Sequence, residues 1–301
     1  MCRRVLISSL VAMALAVPVL AQAPVVDHRV YATAQGRFAD LATMVGDLVT
    51  ADVVFIGEQH NDDNTHRFQL NLLQAIAARR GDVVLALEMF ERDAQEPLEH
   101  FLMGHTEEAE FVRESRAWPR YATDYKPLVD FAISKTWPVV AANVPRAIAA
   151  EVSKSGLTAL ATRPASEKAW FAADLQCPTG DDYYTRFLGA MGGGHVAGAP
   201  AMDAATLDRY YFSQCLKDET MGESIAQSYA AGAAGGKRPL VVVVLGAFHS
   251  DFRQGTVIRT ARRLPAQCIV VTSILPVDTL DGPAPSAEAV TRGDYLIYVK
   301  K

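Results

Sequence analysis

Six stretches of the chain are rich in Val, Leu and Ile and have the length of β-strands. They cover residues 52–57, 82–89, 137–143, 239–246, 268–274 and 294–300. The first four are continuous apolar runs and lack the alternation of apolar and polar positions that a half-exposed strand shows. Continuous runs are typical of strands covered on both faces, as in a parallel sheet with helices on each side.

Segments with helical periodicity lie between these strands. In residues 64–80, the side chains of Phe68, Leu72 and Ile76 fall on one helical face, and Pro145 stands where a proline can open the next helix. Strands that alternate with helices in this way predict an α/β fold with a mostly parallel β-sheet and helices on both faces.

Two long segments interrupt the alternation. Residues 93–135 and 160–235 are too long to be connections without structure of their own, so we predict helical excursions that form a cap subdomain. The stretch GGGHVAGAP at 192–200 is predicted to be a turn between two of these helices, and residues 276–294 an exposed linker before the last strand.

The N-terminus has the three parts of a secretory signal peptide. Arginines at positions 3 and 4 precede an apolar run over residues 5–20, and Ala21-Gln22-Ala23 fits the small-x-small cleavage pattern. The run is short for a membrane anchor and is broken by Pro18. We therefore expect a signal peptide over residues 1–23, cleaved near Ala23. The mature protein is then periplasmic or secreted, with one α/β domain over residues 24–301.

The charge of the mature chain excludes two classes of partner. Loss of residues 1–23 removes two arginines and no acid, which leaves 27 basic and 34 acidic residues and a net charge of −7 with neutral histidine. The chain also has no run of lysines or arginines. It therefore offers no electrostatic attraction to nucleic acid or to an anionic membrane surface.

Three cysteines remain after the signal segment. Cys268 begins an apolar run and is expected to be a buried thiol. Cys177 and Cys215 bracket one segment and would form a disulfide in an oxidising compartment, with two free thiols as the alternative. No CxxC motif is present, which argues against a redox motif or a zinc knuckle.

Three of the predicted strands carry ionisable residues at their carboxyl ends. Glu58 and His60 follow the first strand in GEQH, Glu88 lies in LALEMF on the second, and His249 follows the fourth in GAFH. The carboxyl ends of parallel strands meet at one edge of a sheet, where ligands bind. A buried, unpaired carboxylate costs several kcal/mol. Glu88 therefore needs a cationic partner, which could be an arginine, an imidazolium or a metal, and Arg146 is the candidate that we predict.

Two histidines and two carboxylates at one edge are compatible with two kinds of chemistry. His60, His249, Glu58 and Glu88 could hold a divalent metal, or one histidine could act as a general base beside a carboxylate. The spacing is not that of an HExxH zinc site. Each residue taken alone could also be structural, as a helix cap or a paired core side chain, so these alternatives remain open.

The order of the motifs along the chain carries more information than any one of them. The series consists of GEQH at 57–60, Glu88, GAFH at 246–249, ALEMFERDAQEPLEHFLMG at 86–104, YKPLVDFA at 125–132, PVVAANVPRAIA at 138–149 and SQCLKDETMGESIA at 213–226. This series resembles that of the ChaN-like haem-binding uptake proteins of the Tiki superfamily. The resemblance covers about residues 28–275.

The resemblance implies an exported haem- or iron-binding protein that works with other envelope components in haem or iron acquisition. It also implies two haems stacked between two subunits of a homodimer, with tyrosine as the iron ligand. Tyrosinate is a known ligand of ferric haem. The candidate haem contacts lie in the second excursion, and they are Tyr183, Tyr184, Tyr210, Tyr211 and His195.

The wider Tiki superfamily implies a second function. In that alternative the chain is a metal-dependent or histidine-based hydrolase, and Glu58, His60, Glu88 and His249 are its catalytic residues. The sequence leaves open which substrate such an enzyme would take.

Overall fold

The computed structural model of the protein describes residues 25–192, 202–264 and 268–301. Within these residues, eight strands form one sheet. The strands are β1 (His28–Ala32), β2 (Arg37–Ala39), β3 (Val53–Glu58), β4 (Val83–Glu91), β5 (Val139–Asn143), β6 (Leu240–Gly246), β7 (Ile269–Val277) and β8 (Tyr295–Lys300). Their order across the sheet is β2-β1-β8-β7-β3-β6-β4-β5.

Most neighbouring strands are parallel. The ladders from β8 to β5 are all parallel, and the β1–β2 hairpin adds an antiparallel edge beside β8. The prediction of a mostly parallel sheet is confirmed, and all six predicted strands are present. The hairpin was not predicted, because its strands are short and one of them has only three residues.

Nine α-helices accompany the sheet in the described residues. They are α1 (Leu41–Leu48), α2 (Asp63–Ala77), α3 (Gln95–Leu102), α4 (Glu108–Glu114), α5 (Lys126–Ser134), α6 (Arg146–Ser155), α7 (Asp182–Gly192), α8 (Ala204–Ala234) and α9 (Thr256–Arg263). Asp40, Asp62 and Asp203 cap α1, α2 and α8, since each carboxylate accepts from the backbone N–H three residues later. No helix among the described residues combines the length and the apolar composition that membrane crossing requires.

Helices cover both faces of the sheet, as predicted. On β3, Val54 and Ile56 belong to a core that includes residues of α1 and α2, whereas Phe55 belongs to a second core with residues of α8 and α9. Successive residues of a strand point to opposite faces, so a strand with helices on both sides must be apolar throughout.

The two predicted excursions contain helices that differ in their relation to the sheet. Residues 93–135 hold α3, α4, a π-helical turn at Tyr121–Tyr125, and α5. In residues 160–235, the second half of the 31-residue helix α8 lies on the sheet through Met221 and Ile225. Only its first half packs with α7 in a separate small cluster, so this end alone forms a cap. The predicted turn at 192–200 lies outside the described residues, apart from Gly192.

The free edge of β5 is covered by a side chain. Gln95 at the start of α3 donates to the carbonyl of Val139 over 3.1 Å and accepts from the N–H of Ala141 over 2.7 Å. These two bonds replace those that a further strand would make. An edge protected in this way does not recruit another chain by strand pairing.

The three cysteines differ in oxidation state. A disulfide joins Cys177 to Cys215, whose Cα atoms are 5.8 Å apart, and it ties the segment before α7 to α8. Cys268 is a free, exposed thiol, so the prediction that it is buried is wrong. It stands one residue before β7 begins, at the amino end of the strands, where the sheet meets solvent.

Asp52 ties the amino ends of several elements together. Its carboxylate accepts from Arg238 Nε over 2.6 Å, from the Tyr229 hydroxyl over 2.9 Å and from the Cys268 N–H over 2.8 Å. Burial alone would raise the pKa of Asp52, but these donors together lower it. One carboxylate therefore joins the start of β3 to α8 and to the segments that enter β6 and β7.

Asp52→Ala should lower the free energy of unfolding by about 2–3 kcal/mol, because it leaves a buried hydroxyl and a backbone N–H without an acceptor. The matched control is Asp82→Ala. Asp82 is 42% exposed and pairs only with Arg80, so its loss should cost less than about 1 kcal/mol. Urea denaturation measures both variants, and equal stabilities would contradict the role given to Asp52.

Candidate functional site

The two Gly-x-x-His motifs pack directly against each other. A Cβ atom on Gly57 would lie 2.6 Å from Ser250 Oγ and 3.1 Å from Ala247 Cα, both in or just after the second motif. A Cβ atom on Gly246 would lie 2.7 Å from His60 Nε2 in the first motif. Each glycine therefore gives the other motif room to approach, which explains why glycine is the next-to-last residue of β3 and the last residue of β6.

Glu58 orients the His60 ring. His60 Nδ1 lies 2.7 Å from Glu58 Oε1, and the same carboxylate accepts from the Tyr125 hydroxyl over 2.7 Å and from Gln69 Nε2 over 2.6 Å. A ring nitrogen that faces a carboxylate carries the proton, so Nδ1 is the donor and Nε2 faces Gly246 without a hydrogen bond.

His60 is accessible from solvent. Its side chain is 40% exposed, and its ring meets Trp118 edge-on with the centroids 5.2 Å apart. Partial burial lowers the pKa of His60, but the hydrogen bond to Glu58 and the charge of Glu88 outweigh this effect, so the pKa is raised. His60 is thus a half-exposed imidazole whose orientation is fixed by a buried acid.

The second histidine lies between two carboxylates. His249 Nδ1 is 2.7 Å from Asp218 Oδ1, and His249 Nε2 is 3.3 Å from Glu88 Oε1. The other oxygen of Glu88 accepts from the Gly246 N–H over 2.7 Å. Glu88, Asp218 and His249 are all buried.

The prediction that Arg146 neutralises Glu88 is wrong. Arg146 is largely exposed, and its Nε lies 3.3 Å from Glu91. The partners of Glu88 come from the β6 side of β4, whereas α6 follows β5 on the other side. The cation that the buried carboxylate requires is therefore His249.

The buried charges fix the protonation states of His249 and Glu88. Burial alone would lower the pKa of His249, but the carboxylates of Glu88 and Asp218 raise it to about 10. Burial alone would raise the pKa of Glu88, yet His249, His60 and the Gly246 N–H lower it to about 2. At neutral pH, His249 is therefore an imidazolium, with one N–H directed at each carboxylate.

The described residues do not form the metal site that the sequence suggested. No three His, Cys, Asp or Glu side chains within residues 25–192, 202–264 and 268–301 are grouped so that they could hold a metal ion. Of the four proposed ligands, Glu58 is engaged by three donors and Glu88 and His249 are paired with each other. His60 alone has a ring nitrogen free.

A cleft opens beside the two motifs at the carboxyl ends of β3 and β6. It has a volume of about 690 Å³. Its lining includes His60, Phe248, Phe252, Arg186 and Arg292 together with the acidic residues Glu58, Asp251 and Glu288. A smaller cavity of about 350 Å³, lined by Trp118 and Gln214 among others, also contacts His60, Glu88 and His249. His60 thus borders open space on two sides.

The tyrosines of the second excursion differ in accessibility. Tyr183 is buried and donates to Asp218 over 2.5 Å, and Tyr211 is buried in the α7–α8 cluster. Burial raises the pKa of both phenols, that of Tyr211 to about 12 and that of Tyr183 well above its ordinary value, where Asp218 adds to the effect. Tyr184 donates to Asp208 over 2.5 Å, and Tyr210 is 39% exposed. His195 lies outside the described residues.

Sequence reasoning missed three residues that build the site. Asp218 lies within the DETM stretch that helped to identify the resemblance, but nothing local showed that it faces a histidine. Gln69 and Tyr125 reach Glu58 from α2 and from the π-helical turn. The available signal was a polar residue inside a helical pattern. Asp218 is such a residue, and it is fully buried on α8.

His249 should remain doubly protonated at pH 7.5 and titrate near pH 10, because two carboxylates hold its charge. Nitrogen-15 NMR of the ring measures this, and Glu88→Gln should lower the pKa by removing one carboxylate. The folded-state pKa lies above the unfolded value of about 6.5. The stabilisation from this group is therefore complete below that pH and is lost as the pH rises towards 10. Titration near pH 6.5 in the folded protein would contradict the assignment.

Comparison with known proteins places the chain among its relatives. The family model described as haem-binding uptake, Tiki superfamily, ChaN matches residues 44–259. The structure reported for cofacial haem binding to ChaN of Campylobacter jejuni has a TM-score of 0.69 at 16% identity, over 91% of this chain and 98% of that one. A Bacillus cereus protein has a TM-score of 0.48 at 11% identity, over 87% and 92%.

No curated protein matches the chain. The family match nevertheless spans β3 to α9 and includes both Gly-x-x-His motifs, Glu88 and Asp218. The chain belongs to the ChaN haem-binding uptake family of the Tiki superfamily.

Proposed function

We propose that this chain is an exported haem-binding protein that takes part in haem or iron acquisition. The observation that carries the proposal is the family match over residues 44–259. The Campylobacter jejuni ChaN binds haem cofacially, and we extend that arrangement to this chain as two subunits that enclose two stacked haems.

The cleft beside His60 has side chains that suit haem, which is a planar, largely apolar macrocycle with two carboxylates. Phe248 and Phe252 offer aromatic surface, and Arg186 offers a cation at the same opening. Another cavity, of about 620 Å³, has no Phe, Tyr or Trp in its lining and ends at Lys300 and Lys301. The cleft at the strand ends is therefore the better candidate for the haem site.

Among the candidates that the structure describes, His60 and Tyr210 are the two that we propose as the iron ligand. His60 has its Nδ1 held by Glu58, an arrangement typical of histidines that bind metals through Nε2. Tyr210 is the most exposed of the four tyrosines suggested by the sequence, and tyrosinate ligates ferric haem. Tyr183 and Tyr211 would reach an iron only if the α7–α8 cluster opened.

The proposed location is the periplasm or the exterior of the cell. The N-terminal signal pattern supports export, and the disulfide between Cys177 and Cys215 is of the kind that persists in oxidising compartments. Envelope components of iron uptake are then the expected partners.

Hemin added to the purified protein should give a saturable, shifted Soret band. If Tyr210→Phe loses the Soret shift, the iron ligand is a tyrosinate. If His60→Ala loses the shift, the ligand is an imidazole. Tyr298→Phe on β8 is the control and should keep the shift. Far-UV circular dichroism checks that each variant is folded. A flat titration of the wild-type protein at micromolar hemin would contradict the proposed function.

Hemin should also promote association of two subunits if the haems stack cofacially. Light scattering coupled to size exclusion should show a mass near twice that of the chain with hemin and a smaller share of dimer without it. A monomer at saturating hemin would rule out the cofacial dimer and leave haem binding itself untouched.

The His60–Glu58 pair also supports a second candidate function, a histidine-based hydrolase. A carboxylate that holds Nδ1–H while Nε2 is free is the arrangement of a general base. His249 cannot share that role, because it is protonated. Hydrolysis across ester and peptide panels should then fall by about 10²–10⁴-fold in His60→Ala. No turnover by the wild-type protein would dismiss this function.

A further inference from the structure

Arg186 on α7 is held against aromatic rings and has no acidic partner. Its guanidinium carbon lies 4.3 Å from the ring centroid of Phe248, 5.1 Å from that of Phe252 and 5.3 Å from that of Tyr183. Nη2 donates to the carbonyl of Phe248 over 2.7 Å, and Nε has no hydrogen-bond partner in the part of the chain that the structure describes. Among the described residues, no carboxylate lies within 4.0 Å of this guanidinium.

Some other arginines that are withdrawn from water have an acidic partner. Arg92 pairs with Glu223, Arg163 with Glu151 and Glu167, and Arg259 with Glu219. Arg29 and Arg209 are also partly buried and have no such partner among the described residues, but neither lines the cleft. Arg186 is distinguished by its place in the lining of the cleft.

The lack of an acid has an energetic consequence. Burial lowers the pKa of Arg186, and the more distant carboxylates of Asp251 and Asp218 do not offset that effect. A cation that is partly removed from water without a counter-ion is stabilised when an anion arrives. The position of Arg186 in the lining of the cleft makes it accessible to such an anion.

Arg292 lines the same cleft and also lies near Phe252. Its guanidinium carbon lies 5.7 Å from the Phe252 ring centroid, and Nη1 donates to Asp251 over 3.0 Å. Glu288 also lines the cleft. Because acids already offset the charge of Arg292, Arg186 is the stronger anion site of the two.

The backbone that presents Phe252 is strained. Phe252 has a φ of 64° and Arg253 a φ of 57°, both in the left-handed region that non-glycine residues rarely adopt. Such conformations cost about 1–3 kcal/mol each and occur preferentially at ligand sites. Here the strained segment places an aromatic ring within about 6 Å of two guanidinium carbons in the lining of the cleft.

We propose that Arg186, assisted by Arg292, binds the carboxylate groups of the ligand that occupies this cleft. The ligand class is then a planar, aromatic molecule with carboxylates at its edge, which stacks on Phe248 or Phe252 and directs its charge to Arg186. This inference rests on the proposed function, under which the carboxylates are the two propionates of haem.

The test compares hemin with hemin dimethyl ester, in which both carboxylates are blocked. Titrations use the wild-type protein, Arg186→Gln, Arg186→Lys and the control Arg113→Gln. Arg113 lies on α4 and is 67% exposed, so its variant removes one positive charge outside the cleft. Arg186→Gln should weaken hemin binding by about 10–100-fold, the loss expected for hydrogen bonds to a charged group. It should leave the affinity for the dimethyl ester unchanged.

Arg186→Lys should restore part of the affinity for hemin, since it keeps the charge and loses the bidentate geometry. Arg113→Gln should bind both ligands like the wild type. Equal weakening of hemin and ester in Arg186→Gln would show a structural role and overturn the inference, as would an unchanged affinity for hemin. If the wild-type protein binds no hemin, the proposed function fails and the inference fails with it. If the wild-type protein binds hemin and Arg186→Gln gives either contradicting result, the inference fails alone, so the two failures are distinguishable.

Discussion

The pairing of buried carboxylates at the carboxyl ends of the strands is the constraint on which the site depends. Glu88 is ionised in the interior, so it requires both the Gly246 N–H and the His249 imidazolium. His249 in turn requires Asp218, which draws the long helix α8 onto this edge of the sheet. Removing one member of such a group leaves an uncompensated charge and is strongly destabilising. The positions of β4, β6 and α8 are therefore linked through one chain of charges.

The pairing with buried carboxylates also gives His249 and His60 different roles. His249 is fixed between two acids and has no free nitrogen, whereas His60 rests on one acid and keeps Nε2 free. The two Gly-x-x-His motifs thus supply one histidine that holds the sheet edge together and one that borders open space. Ligand chemistry at this edge falls to His60 and to the cleft beside it, where Phe248, Phe252 and Arg186 surround a volume large enough for a flat ligand.

Much of the fold follows from the sequence, because a strand covered on both faces must be apolar at every position. That rule located β3, β4, β5 and β6 and the edge at which their polar ends meet. Strand order has no such local signal. β6 lies between β3 and β4, and this insertion gives Glu88 its partner in His249 instead of Arg146. Asp218 was hidden for a similar reason: a helix 31 residues long can present a buried acid to any of several elements.

A crystal structure of the protein with hemin measures most directly where the haem lies. We expect the macrocycle against Phe248 or Phe252 in the cleft at the ends of β3 and β6. We also expect a propionate at Arg186 and iron within reach of His60 or of a surface tyrosine. A macrocycle bound elsewhere, for example in the cavity beside Lys300, would contradict this expectation.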